Sequence, residues 1–362
     1  MTKLEAVRAS AYTIPTDAPE GDGTFAWDST TLVLVEVVGG GRTGTGWTYG
    51  SPACATVVTH DLAPRIEGHE VEDVVGCWNV MRAALRNIGR PGVAGMALSA
   101  VDCALWDLKA RLLDMPLHRL LGAVHESVPV YGSGGFTTYD ERQLTEQLSG
   151  WVDGQGIPRV KIKIGESSGT VEDRDRRRVA QAREIVGQST ELFVDANGGY
   201  TVGQAQRVAS WLSAYDVKWF EEPVSSDDLA GLRTVRDQTT IDVTAGEYGY
   251  DLAYFQRLCP VVDCVQADVT RCGGITELLR IAALAEAHGL QLSGHCAPGL
   301  HLAPLTAIPN LRHLEWFHDH TRIESMLFEG LPTPSKGAAT PPNAPGHGLT
   351  WLPDAAAKYR VS

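Results

Sequence analysis

The sequence predicts an α/β fold in which a barrel of parallel strands follows a smaller α+β domain. Two observations lead to this prediction. From residue 128 onwards, short apolar strands alternate with amphipathic helical stretches, and polar residues recur at the ends of those strands. Alternating strands and helices are typical of a parallel sheet, and eight such units close it into a TIM-type barrel. The 362 residues are enough for both parts.

The first part of the chain is predicted to be a capping domain of residues 1–125. The run TTLVLVEVV at 30–38 predicts a strand, and GGGRTGTGWTYG at 39–50 predicts a turn followed by a glycine-rich edge. Residues 95–123 predict a helix, because their apolar positions recur on one helical face. Pro116 is predicted to end this helix, and Gly122 to close the short turn that follows.

The catalytic barrel is predicted to span 126–324, and the tail at 325–362 is predicted to pack back on the capping domain and complete it. The tail is rich in proline and glycine between 330 and 353, which is typical of irregular structure. The predicted barrel strands are 128–136, 159–165, 191–199, 218–224, 242–248, 264–270, 290–296 and 313–317.

Composition excludes several classes of partner. The net charge of -13 disfavours nucleic acid and anionic membrane surfaces. No apolar run approaches the roughly 20 residues that span a bilayer, and the N-terminal residues lack the apolar core of a signal peptide. The seven cysteines are scattered without a C-x-x-C pair, which favours a reducing cytoplasm over a disulfide framework.

Three carboxylates end consecutive predicted strands. Asp195 ends LFVD, Glu221 follows 26 residues later in WFEE, and Glu247 follows after another 26. Because consecutive barrel strands are neighbours, these side chains should converge at the carboxyl-terminal rim, where TIM barrels carry their catalytic groups. Three close carboxylates repel one another unless a cation joins them, and ligation by oxygen alone favours Mg²⁺ or Mn²⁺. Pairing with rim lysines and arginines is the structural alternative.

Two lysines alternate with β-branched residues in RVKIKIG at 159–165. Lys161 and Lys163 therefore point to the same face of one strand. An ammonium group beside a second ammonium group and a divalent cation has a lowered pKa, which suits proton abstraction from carbon. A pair of surface lysines bound to nearby helices is the alternative.

A second acid/base group is predicted across the barrel. Asp268 and His295 end the sixth and seventh predicted strands, and a carboxylate bound to one imidazole nitrogen fixes the tautomer and raises the basicity of the other. Glu315, on the eighth strand, would donate a hydrogen bond to a developing oxyanion if it were protonated.

These motifs together resemble the enolase superfamily and, within it, the mandelate racemase subgroup of the mandelate racemase/muconate lactonizing enzyme family. The resemblance covers essentially the whole chain and implies a (β/α)7β-type barrel under a cap. It rests on ALSAVDCALWDLKARLLDMPLHRLLG, VKIKIG, VDANGGY, WFEEPV, AGEY, DVTRCGGIT and SGHCAPGLH, which occur in this order.

The resemblance also implies roles for single residues. Lys163 would be the base on one face of the substrate carbon, and His295, oriented by Asp268, would act on the other face. Lys161 would contact the substrate carboxylate and lower the pKa of Lys163, and Glu315 would donate a hydrogen bond to that carboxylate. The implied Mg²⁺ ligands are Asp195, Glu221 and Glu247.

Substrate specificity in this family lies largely in mobile loops of the cap. Here such loops are expected at 15–28 and near 46–54, with Trp27 and Tyr49 as candidate substrate contacts. Asn197 is a further candidate contact. Four acidic residues in the first loop argue against a substrate with a second anionic end.

The residues lead to two hypotheses about the reaction. The first is an acid-sugar dehydratase, a Mg²⁺-dependent lyase that forms an enediolate and eliminates the β-hydroxyl to give a 2-keto-3-deoxy acid. The second is a racemase or epimerase that uses the same two bases, and a non-catalytic barrel is a remote third. The partner is a small carboxylate, and the resemblance implies a homo-oligomer between a dimer and an octamer.

Overall fold

The computed structural model describes residues 2–361, and its N-terminal part is built on a three-stranded antiparallel sheet. Strands β1 (Leu4–Gly21), β2 (Ala26–Gly39) and β3 (Arg42–Tyr49) pair in that order. The predicted strand at 30–38 lies within β2, and the glycine-rich edge is β3. Glycines are needed there because a Cβ on Gly44 would lie 2.3 Å from the carbonyl oxygen of Ala104.

One helix covers this sheet, and shorter ones complete the cap. The long helix is Val93–Leu112, and a separate short helical turn, Leu117–Leu120, follows it, so the segment 95–123 divides at Pro116 as predicted. Pro116 separates them because proline lacks an amide hydrogen for a continuing helix. The other helical segments of the cap are Ala53–Val57, Val58–Leu62, Ala63–Ile66, Val74–Ala84 and Leu85–Asn87.

The expectation of a loop over 15–28 is wrong, because β1 and β2 form a long hairpin through this segment. Only residues 22–25 lie outside the two strands, and there Asp22 accepts hydrogen bonds from the amides of Thr24 (2.6 Å) and Phe25 (2.8 Å). The pairing shifts register between Pro15 and Glu20. The segment 46–54 also begins within a strand, because β3 continues to Tyr49.

The second part of the chain is the predicted barrel, which confirms the α/β fold class. Eight parallel strands of the described chain lie side by side in sequence order, and the last pairs with the first. They are β4 (Val128–Gly134), β5 (Arg159–Lys163), β6 (Glu191–Asp195), β7 (Val217–Glu221), β8 (Asp242–Ala245), β9 (Cys264–Ala267), β10 (Gln291–Gly294) and β11 (Leu311–Phe317).

Helices follow every barrel strand, including the eighth. The main helices are Glu141–Ser149, Glu172–Val186, Val202–Leu212, Leu229–Arg236, Leu252–Leu258, Gly274–Ala287, Pro298–Leu305 and His318–Leu327. Shorter helical segments are Gly150–Gly154, Glu166–Gly169, Ser213–Tyr215 and Cys259–Val261. No helix within residues 2–361 has the length and apolarity to cross a bilayer.

The side chains inside the barrel form layers, because the strand register places residues of neighbouring strands at the same height. Lys161 lies level with Phe193, which lies level with Trp219, and aromatic rings fill this level of the barrel. One layer nearer the carboxyl-terminal rim, Lys163 lies level with Asp195 and Asp195 with Glu221. Lys163, Asp195 and Glu221 therefore lie one layer nearer the rim than the buried rings of Phe193 and Trp219.

The C-terminal tail contacts both the cap and the barrel. Strand β13 (Ala338–Ala339) pairs with β4, while the amide of His347 donates to Asp107 of the cap helix at 2.8 Å. The other tail elements are β12 (Phe328–Glu329), β14 (Thr350–Trp351), Pro353–Ala356 and Ala357–Tyr359. Division of the chain into 1–125 with 325–362, and 126–324, stays a prediction.

A buried carboxylate joins the cap helix to the barrel, and its removal should destabilise the protein. Asp102 is fully buried and accepts hydrogen bonds from the Thr276 amide (2.9 Å) and hydroxyl (2.6 Å). Asp102→Ala should lower the free energy of unfolding by about 2–4 kcal/mol, because both donors lose their partner. Urea titration measures this loss, and Asp102→Asn, which keeps an acceptor, should lose less. Equal stability of all three proteins would contradict the assignment.

A second buried acid makes stability depend on pH. Glu324 accepts hydrogen bonds from Trp47 (3.1 Å), Tyr49 (3.2 Å) and the Gly299 amide (2.8 Å), yet burial raises its pKa to about 8. The folded state thus holds this proton more tightly than the unfolded state, so stability should fall as pH rises from about 4.5 to about 8.

Glu324→Gln should remove that part of the pH dependence, because glutamine does not titrate. Melting temperatures of both proteins at pH values of about 5 and about 8 provide the measurement. Between these two pH values, the melting temperature of the wild-type protein should decrease more than that of the variant. An identical loss in both would show that Glu324 does not titrate in this range.

Candidate active site

The three predicted metal ligands converge at the rim of the barrel. Asp195 and Glu221 end β6 and β7, and Glu247 lies two residues beyond β8. One carboxylate oxygen from each lies within 4.8 Å of the other two, and all three residues are buried. Three hard oxygen donors at this separation fit a divalent cation such as Mg²⁺. The chemistry of the donor set and its geometry therefore agree with the predicted site.

A glycine places the third carboxylate. Gly246 has a φ of 137°, and a Cβ there would lie 1.9 Å from the carbonyl oxygen of Gln266 on β9. Only glycine fits this backbone conformation and this close approach. The chain thus turns sharply after β8 and carries Glu247 towards Asp195 and Glu221.

Lys161 lies beneath the three carboxylates and is fully enclosed. Its Nζ lies 2.6 Å from Glu221 Oε1 and 2.7 Å from Glu315 Oε1. Trp219 Nε1 donates to the second oxygen of Glu221 at 2.8 Å, so that carboxylate is held from two sides. Lys161 does not line the active-site cavity, and its predicted contact with a substrate carboxylate stays a prediction.

Lys163 reaches the cavity, where its Nζ lies 2.5 Å from Asp195 Oδ2. Burial disfavours the charged form of both lysines, but Glu221 beside Lys161 and Asp195 beside Lys163 outweigh it, so both pKa values lie above the ordinary lysine value. The expected lowering of the lysine pKa is therefore not produced by the charges of the chain. A lowered lysine pKa would require a bound cation that neutralises the carboxylates of Glu221 and Asp195.

His295 is held by a buried carboxylate, as its place in the sequence predicted. Its Nδ1 lies 2.9 Å from Asp268 Oδ2, and its Nε2 lies 3.3 Å from Glu247 Oε2. Burial opposes the charged imidazole, but Cys296, Glu247 and the Asp268 hydrogen bond outweigh this, so the pKa of His295 is raised. Nε2 of His295, which lies one residue beyond β10, therefore faces the carboxylate cluster.

Glu315 accepts hydrogen bonds. The hydroxyl of Ser133 donates at 2.5 Å, Lys161 lies at 2.7 Å, and the Cys296 amide donates at 3.1 Å. Burial acts to raise the pKa of Glu315, but the charges of Lys161 and His295 hold it below the ordinary value. The donor role expected of Glu315 needs a proton that these neighbours disfavour.

These groups border a cavity of about 450 Å³ between the cap and the barrel. Lys163, His295 and Glu315 lie on its barrel side, and Trp27, Tyr49 and Asn197 also line it. The indole of Trp27 donates to buried Glu20 at 2.9 Å, and the ring of Tyr49 stacks on His320 with centroids 3.5 Å apart. The three predicted substrate contacts thus stand around one space with both candidate bases.

Three residues at this site were not assigned from the sequence. Arg271 lies 3.3 Å from Glu247 and 3.4 Å from Asp268, and Cys296 Sγ lies 3.3 Å from His295 Nε2. Glu222 is buried, and its pKa is raised by burial and by the charge of Glu247. Proximity to the strand-end residues was the only sequence signal for these side chains.

A capped barrel with three converging acids and two candidate bases defines an enzyme of the enolase type. Two family models match the chain: "Mandelate racemase / muconate lactonizing enzyme, N-terminal domain" over residues 16–122 and "Enolase C-terminal domain-like" over residues 143–355. The chain belongs to the mandelate racemase/muconate lactonizing enzyme family of the enolase superfamily. The predicted family is therefore confirmed.

Known proteins of two reaction types are similar to the chain. A 3,6-anhydro-alpha-L-galactonate cycloisomerase from Streptomyces coelicolor is 33% identical, with 96% of each chain covered. An L-talarate/galactarate dehydratase from Salmonella typhimurium is 29% identical, with 91% of this chain and 85% of the relative covered.

Solved structures share the whole fold. A mandelate racemase/muconate lactonizing enzyme-like protein from Rubrobacter xylanophilus is 48% identical, with a TM-score of 0.96 over 99% of this chain and 100% of that one. A racemase from Streptomyces coelicolor with bound magnesium is 31% identical, with a TM-score of 0.92 over 99% and 100% of the two chains.

Proposed function

We propose that this chain is a magnesium-dependent enzyme that removes the proton α to a carboxylate of an acid sugar and eliminates the oxygen at the β carbon. The observation that carries the proposal is the placement of Lys163 and His295. Both residues line one cavity from the ends of the second and seventh barrel strands, beside three convergent carboxylates. Removal of the α-proton needs a base beside the α carbon and a cation that binds the carboxylate oxygens of the substrate, and this arrangement can provide both.

Each group has a task in this reaction. Asp195, Glu221 and Glu247 would hold Mg²⁺, which when bound supplies positive charge for the substrate carboxylate oxygens. Lys163 or His295 takes the α-proton, and Asp268 keeps the imidazole in place through its 2.9 Å hydrogen bond. Lys161 supplies a fixed positive charge beneath the site.

Loss of the α-proton and of the oxygen at the β carbon requires no oxidant, reductant or other co-reactant. The electrons of the α C–H bond form a double bond to the β carbon, and the β C–O bond breaks. A proton carried by His295 Nε2 goes to the leaving oxygen. When that oxygen is a hydroxyl group, water departs and the enol becomes a 2-keto-3-deoxy acid, which is the dehydratase reaction.

A ring oxygen in the leaving position gives a second candidate function. The same proton transfer would then open the ring and yield an isomer, because the leaving oxygen stays attached to the product. The similarity to a cycloisomerase over 96% of the chain favours this candidate. Racemisation by the same bases is the third outcome, and the similarity to a racemase with bound magnesium favours it.

A screen of mono- and diacid sugars with Mg²⁺ tests the proposal and separates these outcomes. Dehydration gives a 2-keto acid lighter than the substrate by one water, whereas ring opening gives a 2-keto acid of unchanged mass. Racemisation gives no keto acid but exchanges the α-hydrogen in D₂O. If no acid sugar lost its α-hydrogen, the proposal would be wrong.

The setting of the enzyme is part of the same proposal. We infer a small carboxylate substrate, a homo-oligomer between a dimer and an octamer, and a cytoplasmic location. The seven cysteines are all buried and free, which supports a reducing compartment. Size-exclusion chromatography with light scattering measures the oligomeric state.

A further inference from the structure

A second cavity adjoins the active-site cavity, and we call it the annex. Its volume is about 610 Å³, against about 450 Å³ for the active-site cavity. Thr24, Asn197 and Tyr248 line both cavities and so form the junction between them. Thr24 belongs to the turn of the cap hairpin, so the annex lies between the cap and the barrel loops. The proposed reaction uses none of the space in the annex.

The charges of the annex disfavour an anion. Asp227 and Asp251 line it, and Arg257 is the one cationic residue among its described lining residues. Two carboxylates against one guanidinium give a net negative charge, which repels a carboxylate and tolerates hydroxyl groups.

Two acceptors near the junction lack partners. Glu222 Oε1 and Asn197 Oδ1 are buried, and neither has a hydrogen-bond partner within residues 2–361. A buried acceptor without a donor is destabilising, so both atoms favour a ligand that brings hydroxyl hydrogens. Glu222 lines the annex and not the active-site cavity, so a donor to it would come from the annex.

Aromatic side chains provide the apolar part of the annex. Tyr248, Tyr250 and Tyr254 all line it, and Tyr248 is 44% exposed. Tyrosine combines an apolar face with a polar hydroxyl, which suits the mixed C–H and O–H surface of a sugar ring. The lining thus combines acceptors, tyrosines and net negative charge.

The active-site cavity itself offers no free cation to a second carboxylate. Lys163, once a cation takes up Asp195, is assigned to the α carbon at the acid end of the substrate, and Arg271 lies against Glu247 and Asp268. His295 is paired with Asp268, and burial lowers the pKa of the remaining imidazole, His320, to about 3, so that ring is neutral. A diacid sugar would therefore leave its second carboxylate uncompensated.

We propose that the annex binds an uncharged, hydroxyl-rich extension of the substrate, such as a glycosyl unit attached to a monoacid sugar. The proposal rests on the proposed function for the acid end, which occupies the active-site cavity. It deepens that function by naming the substrate class: extended monoacids rather than aldaric diacids.

Calorimetry with the magnesium-loaded enzyme tests this proposal. The probes are D-gluconate, its glycosylated forms lactobionate and maltobionate, and the diacid D-glucarate. At least one glycosylated acid should bind about tenfold more tightly than D-gluconate, and D-glucarate should bind more weakly than D-gluconate. Lactobionate and maltobionate carry different sugars in different linkages, so the result does not depend on one stereochemistry.

A matched pair of variants links that difference to the annex. Ser225 is an exposed residue of its lining, so Ser225→Trp fills the space while Ser225→Ala leaves it open. Affinity for D-gluconate should be unchanged in both variants. The advantage of the glycosylated acid should disappear in Ser225→Trp alone.

Two results would overturn the proposal: neither glycosylated acid binding more tightly than D-gluconate, or an advantage that survives Ser225→Trp. Turnover is measured separately on the same acids. Tighter binding of an extended acid without any α-proton loss would refute the proposed function and leave the annex assignment intact. Turnover of these acids without tighter binding of the glycosylated forms would refute the annex assignment and leave the proposed function intact.

Discussion

Lys163→Ala and His295→Asn should each lower kcat by roughly 10²–10⁴-fold, the usual contribution of a general acid or base. Both residues line the active-site cavity, so each variant removes a proton acceptor or donor from that cavity. Neither residue belongs to the three-carboxylate cluster. Mg²⁺ affinity should therefore not fall, and the loss of Lys163, which competes for Asp195, should favour the cation.

Initial rates on the acid sugar found in the screen, together with calorimetric Mg²⁺ titration, provide the measurement. Lys218→Ala is the matched control, because Lys218 is half exposed and pairs with nearby Asp216. That variant should keep the wild-type rate. Retention of near-wild-type kcat by Lys163→Ala would exclude this lysine as a base.

Asp195→Asn should weaken Mg²⁺ binding by about 100-fold or more, because it removes one of three anionic ligands. The carboxylate of Asp195 is fully buried and lies within 4.8 Å of the oxygens of Glu221 and Glu247. Asparagine keeps the size of the side chain but not its charge, so the effect measures ligation rather than volume.

Calorimetry on Asp195→Asn and on Asp237→Asn tests this expectation. Asp237 is an exposed acid whose partner, Arg233, is also exposed, so its variant should bind Mg²⁺ like the wild-type protein. Unchanged Mg²⁺ affinity in Asp195→Asn would show that the three carboxylates are not the ligands.

The barrel could be predicted from the sequence because its information is local. Each strand is a short apolar run, and the polar residues Asp195, Glu221 and Glu247 mark the same end of successive strands. The cap was harder, because β1 and the loop expected at 15–28 depend on pairing with β2, with a register shift between Pro15 and Glu20. The pairing partner and register of a strand leave little trace in the sequence of that strand alone.

The position of the candidate site could be predicted, but not its protonation. The fold places Lys161 Nζ 2.6–2.7 Å from Glu221 and Glu315, and such distances decide the sign of a pKa shift. Sequence spacing predicts which strand ends are neighbours, but it does not predict which carboxylate oxygen contacts which lysine nitrogen. For the same reason Arg271, which contacts both Glu247 and Asp268, went unassigned.

Release of the α-hydrogen to solvent tests the central claim most directly. An acid sugar labelled with tritium at the α carbon is incubated with the wild-type enzyme, and label in water is counted with Mg²⁺ and after chelation. The account predicts release that keeps pace with turnover, stops on chelation and returns when Mg²⁺ is restored. Turnover without release of label, or release that continues at full rate in chelator, would contradict it.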